Sequence, residues 1–486
     1  MRDGCGIRAM NVLLVNPPTP AHMPNKEFIL STALLSLAAV LREDGAEVRL
    51  ADLNIDRPWD MPGDEGYRRV EKALAADIVA FRPDLVGIGC LFSGQFPAVL
   101  RYAEISKEYA PGVPVAIGGM HPTIYPSEIL RNCPSIDYVA IGEGEEQAVA
   151  LSRAVRDGSA SLREVDGLAW RDRGEVVVQP KTTFLADLNS LPIPAYDLVR
   201  FDAYAHDTRH WHNPRGLSFR MTVPIVSSRS CPMHCNFCSM FLVMGPTLRA
   251  RSPKNVVDEL ELLYDRYGQR HFSFMDDNIN LNRKHMIELC RQIVERKLDI
   301  AFETPNGLMA SALNREVMDA MVAAGWVRGA IAIESGSDRI RNGIMKKRLP
   351  REKILEVVGL AKAYPELFLK AYFIIGMPED TAETLEETYE MIREIDVDDP
   401  YVTNLVPFPG TAVFDQALRD NLFIDEMDLD NLWRMDGFHY HNNRKFYIKP
   451  YGMTLEELDA YREKFDRLLA ENKEKRSAGR LDAAAG

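Results

Sequence analysis

The feature that most constrains folding is an alternation, met twice along the chain, of short apolar runs with stretches of helical spacing. In the first part, NVLLVNPP (11–18), AEVRLADLN (46–54), DLVGIGCLF (84–92), PVAIGGMHP (114–122) and IDYVAIGEGE (136–145) read as strands. Helical apolar spacing fills 32–44, 67–82 and 96–110 between them. Strands and helices in this rhythm predict an open parallel sheet of the flavodoxin or Rossmann kind, which binds ligands at the carboxyl edge of its strands. Those edge loops carry Asn16-Pro17-Pro18, Asp52-Leu53-Asn54, Leu91-Phe92-Ser93, Gly118-Gly119 and Gly142-Glu143-Gly144.

VDGLAWRDRGEVVVQP reads as a hairpin turning at Asp172-Arg173-Gly174, and LNSLPIPAYDL as a proline-containing connector. A second alternation then begins. Strands are expected at 222–229, 271–277, 300–307, 326–335, 369–378 and 402–410, with helices over 253–267, 282–297, 314–324, 337–346, 351–363 and 381–395. Six β-α units predict a full or partial barrel with its chemistry on the loops after the strands. The expected division is a sheet domain at 10–150, hairpin and linker at 151–215, a barrel at 216–425 and a helical region with a frayed tail at 426–486.

A net charge of −13 argues against a large nucleic-acid footprint, which needs a basic face to offset phosphate. No apolar run is long enough for a membrane span, and the opening stretch lacks the core of a secretion signal, so a cytoplasmic monomer is expected. Seven cysteines in 486 residues do not form a disulfide framework; Cys5, Cys90, Cys133 and Cys290 read as lone buried thiols.

The other three are clustered. SSRSCPMHCNFCSM (227–240) sets Cys231, Cys235 and Cys238 in a C-x3-C-x2-C spacing directly after the first strand of the second alternation. A structural zinc ion wants four ligands, and His234, lying between two of the cysteines, would strain to close the same ion. Three thiolates on a tight loop suit a cubane iron–sulfur cluster with one iron left open.

C-x3-C-x2-C with an aromatic, Phe237, before the last cysteine, after the first strand of a six-unit β/α barrel, resembles the radical S-adenosylmethionine (SAM) superfamily. The resemblance implies a [4Fe-4S] cluster whose open iron is chelated by SAM, and a 5′-deoxyadenosyl radical formed by reductive cleavage. It implies that Asp276, Asp277 and Asn278 in MDDNINLN are candidate acceptors for the SAM ammonium, and that Arg229 and Lys346 offset its carboxylate. Glu334 and Ser335 in IAIESGSD would hold ribose hydroxyls or the methionine end. Ile375 and Gly376 in FIIGMPED would let the adenine approach backbone. Helix caps, a surface Glu and a solvated Lys are the plainer readings of these same residues.

A sheet domain ahead of such a barrel resembles the cobalamin-binding subclass. Asn16, Pro17, Leu91, Phe92, Ser93, Gly118, Gly119, His121, Gly142, Glu143 and Gly144 are its candidate cobalamin contacts. The D-x-H-x-x-G motif is absent, because Asp52 is followed by Leu53, Asn54 and Ile55; His121 is not assigned to cobalt. Substrate contacts are sought at Tyr372, Asn404, Trp433 and the Phe438-His439 pair; the aromatic and His-rich stretches 206–216 and 433–443 suit a polar pocket or ordinary packing. No catalytic residue is assigned. The resemblance implies a cobalamin-dependent methyltransferase, working through methylcobalamin on an unactivated carbon or phosphorus of a small molecule. A flavodoxin or ferredoxin would supply electrons. Cyclisation or rearrangement without methyl transfer is the alternative within enzymes. An RNA methylthiotransferase would want three further clustered cysteines, and a mere cofactor carrier would not need the Glu334 and Gly376 loops.

Overall fold

NVLLVN forms β1 (Asn11–Asn16), buried along almost its whole length as a central parallel strand must be. Leu13 and Val15 enter one apolar core while Val12 and Leu14 enter the other, so the strand is packed on both faces. The protein is seen in a computed structural model that describes residues 9–21, 28–157, 162–424, 427–434 and 445–485. β2 (Glu47–Asp52), β3 (Leu85–Gly89), β4 (Val115–Gly118) and β5 (Tyr138–Ala140) complete a parallel set in the order β2-β1-β3-β4-β5. That is the flavodoxin order, whose direction reverses between β1 and β3. The first helix, Thr32–Glu43, starts where Ser31 accepts from Leu34 N, and it buries Leu34, Leu35, Ala38 and Leu41 at helical spacing.

The hairpin expected within the linker instead extends this sheet. β6 (Leu168–Asp172) pairs antiparallel with β5, and β7 (Glu175–Val178) pairs antiparallel with β6. The described residues of Met1–Ala205, Leu242–Gly245 and Asp428–His441 form this first unit. The last of these segments returns from far along the chain, and Trp433 enters one of the two sheet cores.

The second unit is built on β8 (Val223–Ile225), followed by a short ladder of β9 (Ser228–Arg229) with β10 (Arg249–Ala250). Then come β11 (His271–Phe274), β12 (Ala301–Leu308), β13 (Trp326–Glu334), β14 (Phe368–Ile375) and β15 (Asp399–Asn404). The six longer-range strands pair in chain order, β8-β11-β12-β13-β14-β15, all parallel. Among the described residues β8 and β15 do not pair with each other, so the barrel is partial. The expected strand 222–229 breaks after Ile225, and the helix expected over 337–346 is a single π-type turn, Arg339–Ile344. Arg341 explains the second departure. Fully buried, it donates to the carbonyls of Leu349, Ser335 and Gly336, which pulls the turn out of α geometry.

The His/aromatic stretch 206–216 lies at the amino end of this barrel. Trp211 meets His271 at the start of β11, and His212 Nε2 bonds the Glu366 carbonyl just before β14. Arg215 pairs with Asp299, ahead of β12, so the stretch packs at the end opposite the cysteine loop. Among the described residues no helix is long and apolar enough to cross a membrane.

Candidate active site

The cysteine loop is anchored by two adjacent carboxylates that act differently. Asp276 follows β11 and is buried; it accepts from Ser227 N at 3.2 Å, from Ser227 Oγ at 2.7 Å and from Ser228 Oγ. Burial raises its pKa, and those serine hydrogen bonds oppose the rise. Its oxygens are thus spent on the chain entering the loop, which corrects its expected place as a ligand acceptor. Asp277 accepts from Ser230 N at 2.9 Å, and burial holds its carboxyl up at about 6.

Beyond these anchors the loop bends sharply. Ser230 and His234 have φ of 72° and 45°, the left-handed region that non-glycine residues rarely adopt. His234 is exposed, its ring edge-on to Phe241. Cys235 is buried and its thiol is pushed up to about 12 by burial; Cys238 is raised by the same cause. Among the described residues no three His, Cys, Asp or Glu side chains are arranged to hold one metal ion. Asn278 stands beside the loop, buried, with Nδ2 3.6 Å from Cys231 Sγ. Its Oδ1 has no hydrogen-bond partner, so it is a buried acceptor available to a donor such as an ammonium.

On the neighbouring strand ends the expectations divide. Glu334, at the end of β13 with φ of 71°, pairs with Lys347 at 2.7 Å. Lys346, proposed from the sequence to offset the carboxylate, is exposed; Lys347 is the lysine drawn inward. Nothing in a Lys-Lys doublet distinguishes the two. Ser335 is turned into packing: its Oγ lies 3.2 Å from Thr388 Oγ1 and accepts from Ser337 N. Gly376, at φ of 91°, lets Phe446 approach, since a Cβ there would lie 3.1 Å from the Phe446 ring. The Ile375 carbonyl accepts from Leu405 N, and Gly376 N donates to Asp380. Phe237 packs beside Ile340, Met345 and Met377, and Arg229 sits half-buried in the ladder opposite Arg249.

Tyr372 is the substrate candidate that faces the barrel interior. Its hydroxyl reaches across β13 to the Pro305 carbonyl at 2.7 Å, and its ring lies over Gly307 and beside Tyr401. Asn404 points away, toward Arg462 of the helix Leu455–Ala485. Trp433 is a core residue of the first unit and is not on the barrel at all. Phe438 and His439 lie outside the described residues.

In the first unit, Leu91, Phe92 and Ser93 follow β3 at the carboxyl edge, where Leu91 is 59% exposed. Asn16 and Pro17 are buried, and Asn16 Nδ2 bonds Asp52. The missing side chains of these glycines let chain approach chain. A Cβ at Gly119 would lie 2.2 Å from the Cys90 carbonyl, at Gly142 3.1 Å from Lys181, at Gly144 3.3 Å from Leu37, and at Gly118 3.4 Å from Ala140. Glu143 is buried and accepts from Leu185 N. His121 is fully buried and bonds the Trp433 carbonyl at 2.9 Å; burial lowers its pKa to about 4. It is a packed core histidine. Cys90, Cys133 and Cys290 are buried thiols as expected, and Cys5 lies outside the described residues.

Comparison with known proteins agrees with this division. The B12 binding domain family matches residues 29–152, and the Radical SAM superfamily matches residues 225–392. An uncharacterized methyltransferase of Pyrococcus horikoshii is 32% identical over 422 residues, covering 86% of this chain and 85% of that protein. Cytidylyl-2-hydroxyethylphosphonate methyltransferase of Streptomyces wedmorensis is 28% identical, covering 88% of this chain and 85% of its own length. The solved structure of the radical SAM methyltransferase TsrM from Kitasatospora setae, with cobalamin and a [4Fe-4S] cluster bound, matches with a TM-score of 0.68 at 20% identity. It covers 85% of this chain and 75% of TsrM, a likeness of fold. A flavodoxin-order sheet, a partial β/α barrel with three cysteines after its first strand, and these relatives together make this chain a member of the radical SAM enzymes that carry a B12-binding domain.

Proposed function

We propose that this chain is a cobalamin-dependent radical SAM methyltransferase that methylates an unactivated carbon, or a phosphorus, of a small molecule. The observation that carries the reading is the anchored three-cysteine loop on an open parallel barrel, in a chain that also holds a flavodoxin-order sheet. Relatives of matching length on both sides are named methyltransferases, which supports methyl transfer over ring closure.

When bound, the cluster with SAM supplies a radical able to abstract hydrogen, and cobalamin supplies the methyl group. Cys231, Cys235 and Cys238 would hold the cluster; the raised pKa values of Cys235 and Cys238 mean that loading must displace thiol protons. Asp276 and Asp277 fix the loop, and Asn278 Oδ1 offers its free lone pair to an ammonium. Leu91, Phe92 and Ser93 would lie against the corrin, while His121 is held on the Trp433 carbonyl within the core. Tyr372, its hydroxyl fixed on Pro305, presents a rigid ring face to substrate inside the barrel. A low-potential flavodoxin or ferredoxin supplies the electron.

The test is anaerobic turnover of the reconstituted enzyme with candidate substrates. Methyl transfer yields both 5′-deoxyadenosine and S-adenosylhomocysteine. Formation of 5′-deoxyadenosine with no S-adenosylhomocysteine would replace this reading by cyclisation or rearrangement.

A further inference from the structure

The carboxyl half of β12 is broken by a bulge. Thr304 pairs with Gly329 and Leu308 with Ile331, so Pro305, Asn306 and Gly307 stand against Ala330 alone. Gly307 takes up the extra length at φ of 101°. Two long-range hydrogen bonds hold the bulge from opposite sides. Asn306 Nδ2 donates to the Met275 carbonyl at 2.9 Å and lies 3.4 Å from that of Asp276, on the chain leaving β11. Tyr372 Oη, reaching over from β14, donates to the Pro305 carbonyl at 2.7 Å. A bulge in a barrel strand re-aims the side chain it carries, and here that side chain is Asn306.

With its amide nitrogen turned to those two carbonyls, Asn306 has its Oδ1 turned away from them. Among the described residues nothing donates to that oxygen, and Asn306 is exposed. The peptide bond from Pro305 to Asn306 brings the carboxamide and the Tyr372 ring to one place. Beside them the barrel floor is low. Ala332, the register partner of Tyr372 on β13, contributes only a methyl, and a Cβ at Gly307 would lie 3.2 Å from that methyl and 3.9 Å from Tyr372 Cδ2. Tyr401, the register partner of Tyr372 on β15, is 40% exposed and stands edge-on to it, ring centroids 6.2 Å apart. Two small residues thus lead into two aromatic rings, with one amide acceptor at the strand end.

A low floor walled by an aromatic ring suits a flat group, and an amide oxygen beside it selects a hydrogen-bond donor. We propose that the bulge is the specificity element of the barrel: Asn306 Oδ1 accepts from an N–H at the edge of a planar ring of the substrate, and that ring packs against Tyr372 over Gly307 and Ala332. The substrate class is a small molecule that contains a planar nitrogen heterocycle with a ring N–H or an amino group. The proposal rests on the enzyme reading above, whose substrate it describes. Asn306 binds and selects; no bond is made or broken at it.

The experiment is a ligand-observed NMR titration of the full-length protein, reconstituted anaerobically with cluster and hydroxocobalamin. The probes are indole, 1-methylindole, which is flat but lacks the N–H, and cyclohexylmethanol, which has a donor but no flat ring. Wild type should bind indole roughly tenfold more tightly than 1-methylindole, the effect of one hydrogen bond made in a desolvated place, and cyclohexylmethanol least. Asn306→Leu should abolish the preference between the two indoles and Asn306→Gln should keep it, while Tyr372→Leu should weaken both indoles alike. An equal preference in wild type and Asn306→Leu overturns the proposal, because a residue that only holds the bulge would leave that ratio alone. If Asn306→Leu does not fold, Ala332→Leu carries the test: it should raise the floor and weaken both indoles, and unchanged binding overturns the proposal. No saturable binding of indole to wild type overturns it as well. Binding needs no turnover, so wild type that shows the indole preference yet forms no 5′-deoxyadenosine overturns the enzyme reading instead.

Discussion

Cys235 is the buried member of the cysteine triplet, while Cys231 and Cys238 are half-buried. Cys235→Ala is expected to abolish cluster assembly and reductive SAM cleavage while leaving cobalamin bound, because the cobalamin candidates lie on the other folding unit. Iron content, 5′-deoxyadenosine formation and the corrin spectrum check the three parts. A second prediction concerns Asp380, buried after β14, which accepts from Gly376 N, Met377 N and Thr384 Oγ1. Burial holds its carboxyl up at about 6, against an ordinary 3.8, despite those donors. The folded chain therefore binds this proton more tightly than the unfolded chain, and its contribution to stability falls as pH rises from about 4 to about 6, by roughly 3 kcal/mol. Asp380→Asn should flatten that part of the pH dependence, read as the difference between variant and wild type in denaturant titrations across the window. The need for carboxylates near the cysteines was legible in MDDNINLN, but the division of labour between Asp276 and Asp277 was not. Adjacent residues of one type differ only in what the fold puts against them, and the same holds for Lys346 and Lys347.

Strands and helices were readable because their signal is local. Period-two and period-3.6 spacing recovered the β-α order of both units, with ends moved by a few residues. What failed was the environment of particular glycines and of the 337–346 turn. Glycine in an edge loop reads as room for a ligand, yet here the missing side chain mostly lets chain approach chain. Gly336 is the sharpest case: a Cβ there would lie 2.4 Å from the Glu387 carbonyl and from Thr388 Cα, on the helix Ala382–Glu394. Gly336→Ala must push that helix away from the end of β13, which carries Glu334. A loss of about 1–3 kcal/mol is expected in denaturant unfolding, together with weaker cluster retention after reconstitution. Unchanged stability would mean that the helix yields freely and that the close approach has no structural role.

At the scale of the whole molecule the chain does not run simply from one unit to the next. Trp433 returns to the first unit, enters its core, and gives its carbonyl to His121, 312 residues earlier. Trp433→Ala should cost about 3–5 kcal/mol, the usual range for emptying a buried aromatic site, and hydrogen exchange should quicken in β3, β4 and the helix Phe96–Tyr109. Exchange that quickened only in the second unit would contradict the packing described. By itself the sequence determined two α/β units, a cluster-type cysteine loop and the residue types around it, because hydrophobic periodicity and ligand spacing are written over a few neighbouring positions. Only the tertiary structure decided that Lys347 rather than Lys346 turns inward, that Asp276 is an anchor, that Asn404 faces away from the barrel and that Trp433 belongs to the first core. Each of those depends on which distant segment arrives against the residue, and that is set by the packing of the whole chain.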